Sequence, residues 1–267
     1  MRYSIKVQYI GKNYSGSQIQ PNRPTIQGEL EKAIRTLIKS NNEWEKRSKD
    51  ECNTSTIEPF SRSTDSYRTV FSGRTDAGVN ALEQVVHFDV ERNLVASEFL
   101  YSLNEILPAD ISVSDLREVS SEFHAQKSAK WRHYRYEFIH RKCKSAFDGD
   151  LIIVKYDIDL ERMQNSLNYL LGEHDFSSFK SSGTLNPSKV CFIKKATVEK
   201  QGDKVVVNIV GNRFLYNMVR AIVGTLLEIE GNNLAPEHMK NVLETKDRSK
   251  AGKTVSPYGL TLVEVKY

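Results

Sequence analysis

The segment from Phe71 to Ala81 carries the side chains best suited to chemistry. It reads Phe-Ser-Gly-Arg-Thr-Asp-Ala-Gly-Val-Asn-Ala and places an acid, Asp76, two residues after a base, Arg74. Gly73 and Gly78 permit backbone angles that other residues avoid, so a tight loop can hold both charged side chains outward, as functional residues often are. An aspartate in such a turn can also serve the turn itself, by accepting backbone N–H bonds while the arginine pairs with it.

Several common kinds of site are excluded by spacing. Gly73 and Gly78 are spaced as in a phosphate-binding P-loop, but Val79 and Asn80 stand where a lysine and a hydroxyl residue must follow, and no GxGxxG motif occurs. The three cysteines form no CxxC pair and the six histidines are scattered, which argues against structural zinc and against a disulfide framework. The sequence therefore predicts no structural zinc site, no disulfide framework and no nucleoside triphosphate chemistry.

Composition indicates an ordinary globular protein with a slightly basic character. The 267 residues are 39% hydrophobic and 27% charged, and the formal net charge is +4. This balance suits a polyanionic partner without requiring one. No apolar stretch approaches the roughly 20 residues that span a bilayer, and the N-terminus runs directly into a strand pattern. We expect a cytoplasmic protein without a membrane segment.

The elements that must position the Phe71–Ala81 segment follow from hydrophobic periodicity. Apolar residues alternate from Tyr3 to Tyr9 as in a half-buried strand, and Thr25 caps a predicted helix whose apolar positions recur from Ile26 through Lys39. Strands are then predicted at 69–72, 84–90 and 111–119, with a helix at 97–107 that Pro108 ends.

The second half repeats this alternation. It contains predicted strands at 132–140, 191–200, 204–210 and 260–266, and helices at 159–171, 214–230 and after Pro236. We predict an α+β fold of two ferredoxin-like, split β-α-β halves, with a joined, mostly antiparallel central sheet and a cleft between them. The boundary is placed near residue 118, giving domains 1–118 and 119–267.

Residues 40–68 differ from the rest of the first half. They are polar, nearly balanced in charge and contain few side chains that could be buried. We interpret this stretch as a flexible insertion at the surface, close enough to Asp76 that contact with a polyanionic partner such as RNA stays open.

Residues 127–144 mix lysines and arginines with four aromatic side chains. On a strand, Arg132, Tyr134, Tyr136 and Phe138 would share one face. Rings stack on bases and cations pair with phosphates, so the pattern fits RNA. The alternative is that the rings belong to the core and the charges protect an exposed strand edge.

The predicted helix at 214–230 is mostly apolar yet carries a polar stripe. Arg213, Asn217, Arg220 and Gly224 recur at three- and four-residue steps along one face. A buried arginine is almost always paired, because an isolated buried charge is costly. The partner could be any structural carboxylate.

Three segments resemble, in order, the motifs of the TruA family of tRNA pseudouridine synthases. They are the Gly73–Val79 loop, the Arg132–Tyr136 string and the run from Asn212 to Arg220; Asp175–Lys180 and Pro257–Leu260 also look like family segments. The resemblance implies that Asp76 is the catalytic residue, that Tyr134 stacks with the target uridine and that Arg220 pairs with Asp76 and keeps it ionised. Arg74 would fill the gap left by a flipped base or bind a phosphate.

The resemblance also implies the substrate and the reaction. Arg132, Lys180 and Asn217 lie in matching segments and are expected to bind substrate. The family isomerises uridine to pseudouridine at positions 38, 39 and 40 of the anticodon stem-loop, without a cofactor and as a homodimer. Asp76 would act as a nucleophile or as a base that removes a 2′ proton to form a glycal; both roles stay open. Ser17 and Asn80 depart from the family, which commonly has tryptophan and histidine there.

Two other functions compete with isomerisation. The first is a tRNA-binding or tRNA-folding module on the same scaffold, without catalysis. The second is a glycosidic hydrolase, which would normally need a second carboxylate as acid. The nearest acid in sequence is Glu83, which follows the loop.

Overall fold

A computed structural model describes residues 1–50, 67–181 and 188–267, without the side chains of residues 39–50. The first half contains β1 (Arg2–Tyr9), α1 (Ile26–Asp50), β2 (Val70–Phe71), β3 (Asn80–Asp89), α2 (Ala96–Ile106) and β4 (Ile111–Val119). The second half contains β5 (Trp131–His140), β6 (Ile153–Val154), α3 (Leu160–Asn168), β7 (Gly172–Asp175), β8 (Val190–Gln201), β9 (Lys204–Gly211), α4 (Met218–Gly231), α5 (Glu237–Thr245) and β10 (Leu260–Lys266).

The described strands form one large mixed sheet. Its order is β4-β1-β3-β10-β5-β9-β8-β7, with β2 added to β3 and β6 added to β5. Most neighbours are antiparallel, while β10 runs parallel to β3 and β6 runs parallel to β5. The predicted α+β class with a mostly antiparallel sheet is confirmed. The final strand β10 lies between β3 and β5 and so joins the two halves of the chain.

Local sequence accounts for most element ends. Alternate residues of β1 are buried, as the period-two pattern predicts. The Thr25 hydroxyl accepts a hydrogen bond from the Gly28 amide at the start of α1, and the Asp159 carboxylate caps α3. The hairpin between β8 and β9 turns at Gly202, whose φ of +61° suits glycine.

Two hydrophobic cores lie along this sheet. One is built from the first half together with Leu262 and Val265 of β10. The other is built from the second half together with Val79. The ring of Tyr134 packs against both cores and therefore lies at the junction between them. The split β-α-β halves and the boundary near residue 118 stay predictions.

Several predicted bounds were wrong. Helix α1 extends to Asp50 rather than Lys39, since no glycine or proline interrupts it, so residues 40–50 of the predicted insertion are helical. Residues 51–66 of that insertion lie outside the described residues. Strand β3 begins at Asn80 rather than Gln84, because Asn80 and Ala81 pair with β10.

Two helices are shorter than predicted and two strands were missed. Helix α3 ends at Asn168 rather than Leu171. Helix α4 begins at Met218 rather than Phe214, because Asn217 has a left-handed φ of +61° that a helix interior does not accept. Arg213 therefore lies outside the helix and does not share its face. The short strands β6 and β7 have too few residues to show a period.

Candidate active site

The loop from Ser72 to Val79, here called the Asp76 loop, is fixed by hydroxyl groups buried beneath it. The Tyr9 and Thr75 hydroxyls lie 2.7 Å apart, and both side chains are buried. The Ser17 hydroxyl accepts a hydrogen bond from the Thr75 amide at 2.9 Å, and the Ser17 amide donates to the Thr75 carbonyl at 3.0 Å. The residue immediately before Asp76 is thus bonded through its backbone and its side chain.

Gln84 of β3 fixes the first residues of the same loop. Its side chain is fully buried; its amide oxygen accepts a hydrogen bond from the Ser72 hydroxyl, and its amide nitrogen donates to the Gly73 carbonyl at 2.9 Å. Gln84 also hydrogen-bonds Tyr9, whose pKa burial raises to about 12, so Tyr9 stays a neutral hydroxyl. Buried polar groups that are all bonded make this network rigid.

The far end of the loop packs against the segment before β10. Gly78 has a φ of +79°, and a Cβ there would lie 2.8 Å from the Pro257 ring. Gly224 of α4 meets the start of the same segment, since a Cβ there would lie 1.9 Å from the Lys253 carbonyl oxygen. Both glycines permit a close approach that any side chain would prevent. The segment 252–258 therefore connects the Asp76 loop to α4.

Asp76 is half-buried at the centre of this arrangement. Within the described residues, its carboxylate accepts no hydrogen bond and forms no ion pair. Burial raises the pKa of Asp76 above its ordinary value, and the positive charge of Arg220 opposes that rise. The carboxylate is thus partly desolvated, near a cation, and without a bond to another described side chain.

The Arg220 guanidinium is held in place by hydrogen bonds to residues other than Asp76. Its Nε donates to the Val255 carbonyl at 2.8 Å, and its Nη1 donates to the Asn217 side-chain oxygen at 2.7 Å. Asn217 in turn donates to the Ser181 hydroxyl at 3.1 Å. Burial lowers the pKa of Arg220, and Asp76 is the largest influence that raises it. The two charges therefore act on each other through space, without direct contact in the described structure.

The phenol of Tyr134 lies close to both Tyr9 and Asp76. Its ring meets the Phe214 ring edge-on, with centroids 5.0 Å apart. Burial raises the pKa of Tyr134, and the nearby Tyr9 and Asp76 raise it further. Tyr134 is therefore neutral at physiological pH and presents a ring beside the carboxylate.

The Arg132 guanidinium is hydrogen-bonded to backbone groups of the protein itself. It donates to four backbone carbonyls, those of Ala129, Asn212, Ser72 and Gln126, at 2.6–3.2 Å. Burial lowers its pKa. The bond to Ser72 attaches β5 to the start of the Asp76 loop. The structure thus gives this guanidinium a positioning role, while its predicted contact with substrate stays a prediction.

Arg74 and Lys180 occupy different surroundings. Arg74 is exposed two residues from Asp76 and makes no hydrogen bond or ion pair with another described residue. Lys180 follows a short 3-10 helix, Ser177–Phe179, and the next amide, that of Ser181, donates to the Tyr216 carbonyl at 3.1 Å. Its backbone therefore lies beside the Asn217–Arg220 pair.

Comparison with known proteins identifies the family. A family model described as tRNA pseudouridine synthase matches residues 167–267. The tRNA pseudouridine synthase A of Caldicellulosiruptor saccharolyticus is 38% identical over 264 residues, covering 98% of this chain and 98% of that protein. The enzyme of the same name from Halalkalibacterium halodurans is 38% identical over 260 residues, covering 97% of this chain and 90% of that protein. This chain belongs to the tRNA pseudouridine synthase family.

A solved structure adds nothing to this assignment. A Cbf5-Nop10-Gar1 complex aligns with 84% of this chain and 53% of that chain, at 10% sequence identity and a TM-score of 0.33. At that similarity the likeness supports no statement about fold or function.

Both departures from the family motifs have a structural role in this chain. Ser17, in place of tryptophan, is almost completely buried and bonds Thr75. The Asn80 side chain, in place of histidine, accepts from the Gly11 amide at 2.9 Å and donates to the Tyr258 carbonyl at 3.0 Å. Each substitution keeps the Asp76 loop attached to its surroundings.

Sequence reasoning missed the buried network of Tyr9, Thr75, Ser17 and Gln84. The one available indication was Gln84, an amide side chain in a run that otherwise reads as a buried strand. A polar residue at such a position needs a partner, but the sequence does not say which.

Residues 1–50, 67–181 and 188–267 contain neither a metal-binding cluster nor a membrane-spanning helix. No group of three or more His, Cys, Asp or Glu side chains there is arranged to hold a metal ion. No helix in that part of the chain is both long and apolar enough to cross a membrane.

Proposed function

We propose that this chain isomerises uridine to pseudouridine in tRNA, at positions 38, 39 and 40 of the anticodon stem-loop, with Asp76 as the catalytic carboxylate. Membership of the tRNA pseudouridine synthase family supports the reaction. The observation that carries the assignment of Asp76 is its state in the fold: a half-buried carboxylate, unbonded within the described residues, on a loop fixed from both ends and in the field of Arg220.

The reaction rearranges bonds without a change in redox state. The bond between the sugar and N1 of uracil breaks, the base rotates, C5 bonds to the sugar, and the C5 proton leaves while N1 gains one. Asp76 attacks the sugar as a nucleophile or removes its 2′ proton to form a glycal. Both routes need the ionised carboxylate, which is the form that Arg220 stabilises.

Neighbouring residues supply the other roles. The Tyr134 ring, neutral and beside Asp76, stacks on the everted uracil. Arg74 is exposed next to the carboxylate and fills the space that the flipped base leaves, or binds a phosphate. Asn217 acts through Arg220, which it holds, and Arg132 acts through the Asp76 loop. Lys180 lies near enough to Asn217 along the backbone to reach the same RNA.

The substitution Asp76→Asn tests the catalytic assignment. We expect pseudouridine formation on an unmodified tRNA transcript to fall at least about 10³-fold, because the amide can neither attack nor take a proton, while the Kd for tRNA changes little. Tritium released from uridine labelled at C5 measures the reaction, and filter binding measures the Kd. Asp157→Asn, at an exposed carboxylate, is the matched control. Full activity in Asp76→Asn would end the assignment.

The competing functions predict different products. A tRNA-folding module would remodel tRNA equally well in Asp76→Asn and in the unchanged protein. A hydrolase would release free uracil, and it would need a second carboxylate near Asp76. Among the described residues, Arg220 is the charge that acts on the Asp76 pKa, and Glu83 pairs with Lys6 instead. The structure therefore favours isomerisation over hydrolysis.

The remaining proposals concern architecture and assembly. We propose two split β-α-β halves, residues 1–118 and 119–267, with the RNA cleft between them. We also propose a cytoplasmic homodimer in which each tRNA touches both subunits. Sedimentation of the protein alone and with tRNA tests the assembly, and a monomer that is fully active would exclude it.

A further inference from the structure

The loop of residues 141–151, which joins β5 to β6, presents the most exposed large apolar side chain of the described residues. The Phe147 side chain is 98% exposed, whereas the other aromatic rings of the described chain lie at 70% or below. A ring left wholly in water loses the free energy that burial would give it. Such a ring is well placed to contact a partner.

This 141–151 loop is ordered by its own charges. Arg141 forms an ion pair with Asp148 and another with Asp203 at 3.1 Å, and its Nε donates to the Cys143 carbonyl at 2.6 Å. The Asp148 carboxylate also accepts from the Ser145 amide at 2.7 Å. The fold therefore holds Phe147 at the tip of a constrained loop, which reduces the entropy lost when the ring binds.

The charges that the loop leaves uncompensated are positive. Both its carboxylates have partners, because Asp148 pairs with Arg141 and Asp150 pairs with Lys12 at 2.7 Å. Lys142 and Lys144 are exposed and form no ion pair with another described residue. An exposed ring on the same loop as two exposed cations suits a single-stranded nucleic acid, whose bases stack on rings and whose phosphates pair with lysines.

The 141–151 loop is connected to the candidate active site. Lys12, the partner of Asp150, follows Gly11, whose amide bonds the Asn80 side chain. Asn80 comes directly after the Asp76 loop and also bonds the Tyr258 carbonyl. A short series of contacts, from Asn80 through Gly11 and Lys12 to Asp150, thus links the Asp76 loop to the base of the 141–151 loop.

We propose that the 141–151 loop is a second RNA contact, in which Phe147 stacks on an unpaired base of the tRNA while Lys142 and Lys144 bind the flanking phosphates. The proposal rests on tRNA being the substrate. It adds a contact that acts on binding rather than on the chemical step.

Binding to unmodified tRNA in the Asp76→Asn background tests the stack without turnover. Phe147→Ala is expected to raise the Kd about tenfold, the scale of one lost base stack, and Phe147→Leu to behave like alanine. Phe147→Trp should keep the Kd within about twofold. Tyr101→Ala, at another exposed ring on α2, is the control and should leave the Kd unchanged.

Two further measurements identify what the loop binds. Abasic substitutions along the anticodon loop should weaken binding at one position, and that position should lose its effect once Phe147 is alanine. The double change Lys142→Gln and Lys144→Gln should reduce the slope of log K against log salt by about 1.4, the value for two phosphate contacts on a single strand.

The outcomes separate this inference from the proposed function. A Kd within twofold for Phe147→Ala, or equal losses for alanine and tryptophan, would overturn the stack. A Phe147→Ala protein that sediments as a smaller species would assign the ring to contact between two copies of this chain instead. Neither result affects tritium release by the unchanged protein, which tests catalysis separately.

Discussion

The Asp76 loop and the 141–151 loop are both constrained, but by opposite means. The first is held mainly by neutral hydrogen bonds of the buried Tyr9, Ser17 and Gln84, in addition to the bond from Arg132 to the Ser72 carbonyl. The second is held by ion pairs of the partly exposed Arg141, with the exposed Asp203 and with Asp148, whose side chain is mostly buried. Buried neutral bonds are hardly screened by salt and are costly to break, whereas exposed ion pairs are weak and salt-sensitive.

The difference matches the role proposed for each loop. A carboxylate that acts on one sugar atom needs its position fixed closely, because small displacements cost large factors in rate. A ring that stacks on a base tolerates more movement, since every base offers a flat face. The proposed catalytic acid therefore lies on the loop with the buried hydrogen bonds, where its position is fixed closely. The proposed stacking ring lies on the loop with the ion pairs, where more movement is acceptable.

Among the substitutions that test the difference between the two loops, Arg220→Gln should have the largest effect on activity. It removes the cation that acts on Asp76. In the proposed mechanism ionised Asp76 is the active form, so activity should fall as the pH drops through its pKa, which burial raises above the ordinary 3.8. Without Arg220 that pKa rises further, and the acid limb of kcat/KM should move to higher pH while the maximum falls about 10²-fold. Arg213→Gln should leave the acid limb in place. An unmoved limb in Arg220→Gln would show that the cation does not govern Asp76.

Gln84→Leu should break the hydrogen bonds buried beneath the Asp76 loop, and its effect on activity should be intermediate. It leaves the buried Ser72 hydroxyl and the partly buried Gly73 carbonyl without their partner, so the free energy of unfolding should fall by about 2 to 3 kcal/mol. We also expect kcat to fall about tenfold with little change in KM, because the loop that carries Asp76 loosens. Urea unfolding and tritium release measure the two effects. The exposed Gln126→Leu is the control; if it is as destabilising, the network has no special role.

Arg141→Gln should have the smallest effect on stability. It removes ion pairs of a partly exposed arginine, so the melting temperature should fall only slightly, and part of that change should be screened in high salt. The Kd for tRNA should rise by a factor of about two to five at low salt, because Phe147 is no longer held in place. A strong loss of stability that persists in high salt would contradict the contrast between the loops.

Much of the fold could be predicted from local pattern. The bounds of β4 and β10 were predicted to the residue, and Thr25 caps its helix as expected. Errors fell where a long-range contact overrides the pattern. Asn217, held by Arg220 and Ser181, takes a left-handed conformation and starts α4 later than periodicity indicates.

The candidate site also contains residues that local sequence could predict and residues that it could not. Asp76 and Arg74 were identified from residue types and spacing within one short loop. Tyr9, Ser17 and Gln84, which hold that loop, lie in separate segments, and the sequence does not show that they meet. For Arg132 the residue pattern allowed RNA binding or a place on an edge strand, and the structure gives its guanidinium to four carbonyls of the protein.

The sequence by itself determined the periods of the strands and helices, the family motifs and the residue types available for chemistry, because these depend on neighbours a few positions away. Only the tertiary structure decided which polar groups became partners, from Thr75 with Ser17 to Asn80 with Tyr258, across 58 and 178 positions. The physical reason is that a buried hydrogen bond is chosen by which groups the packed sheet brings within about 3 Å of each other. The number of residues between two groups in the sequence does not indicate how close they are in the folded protein.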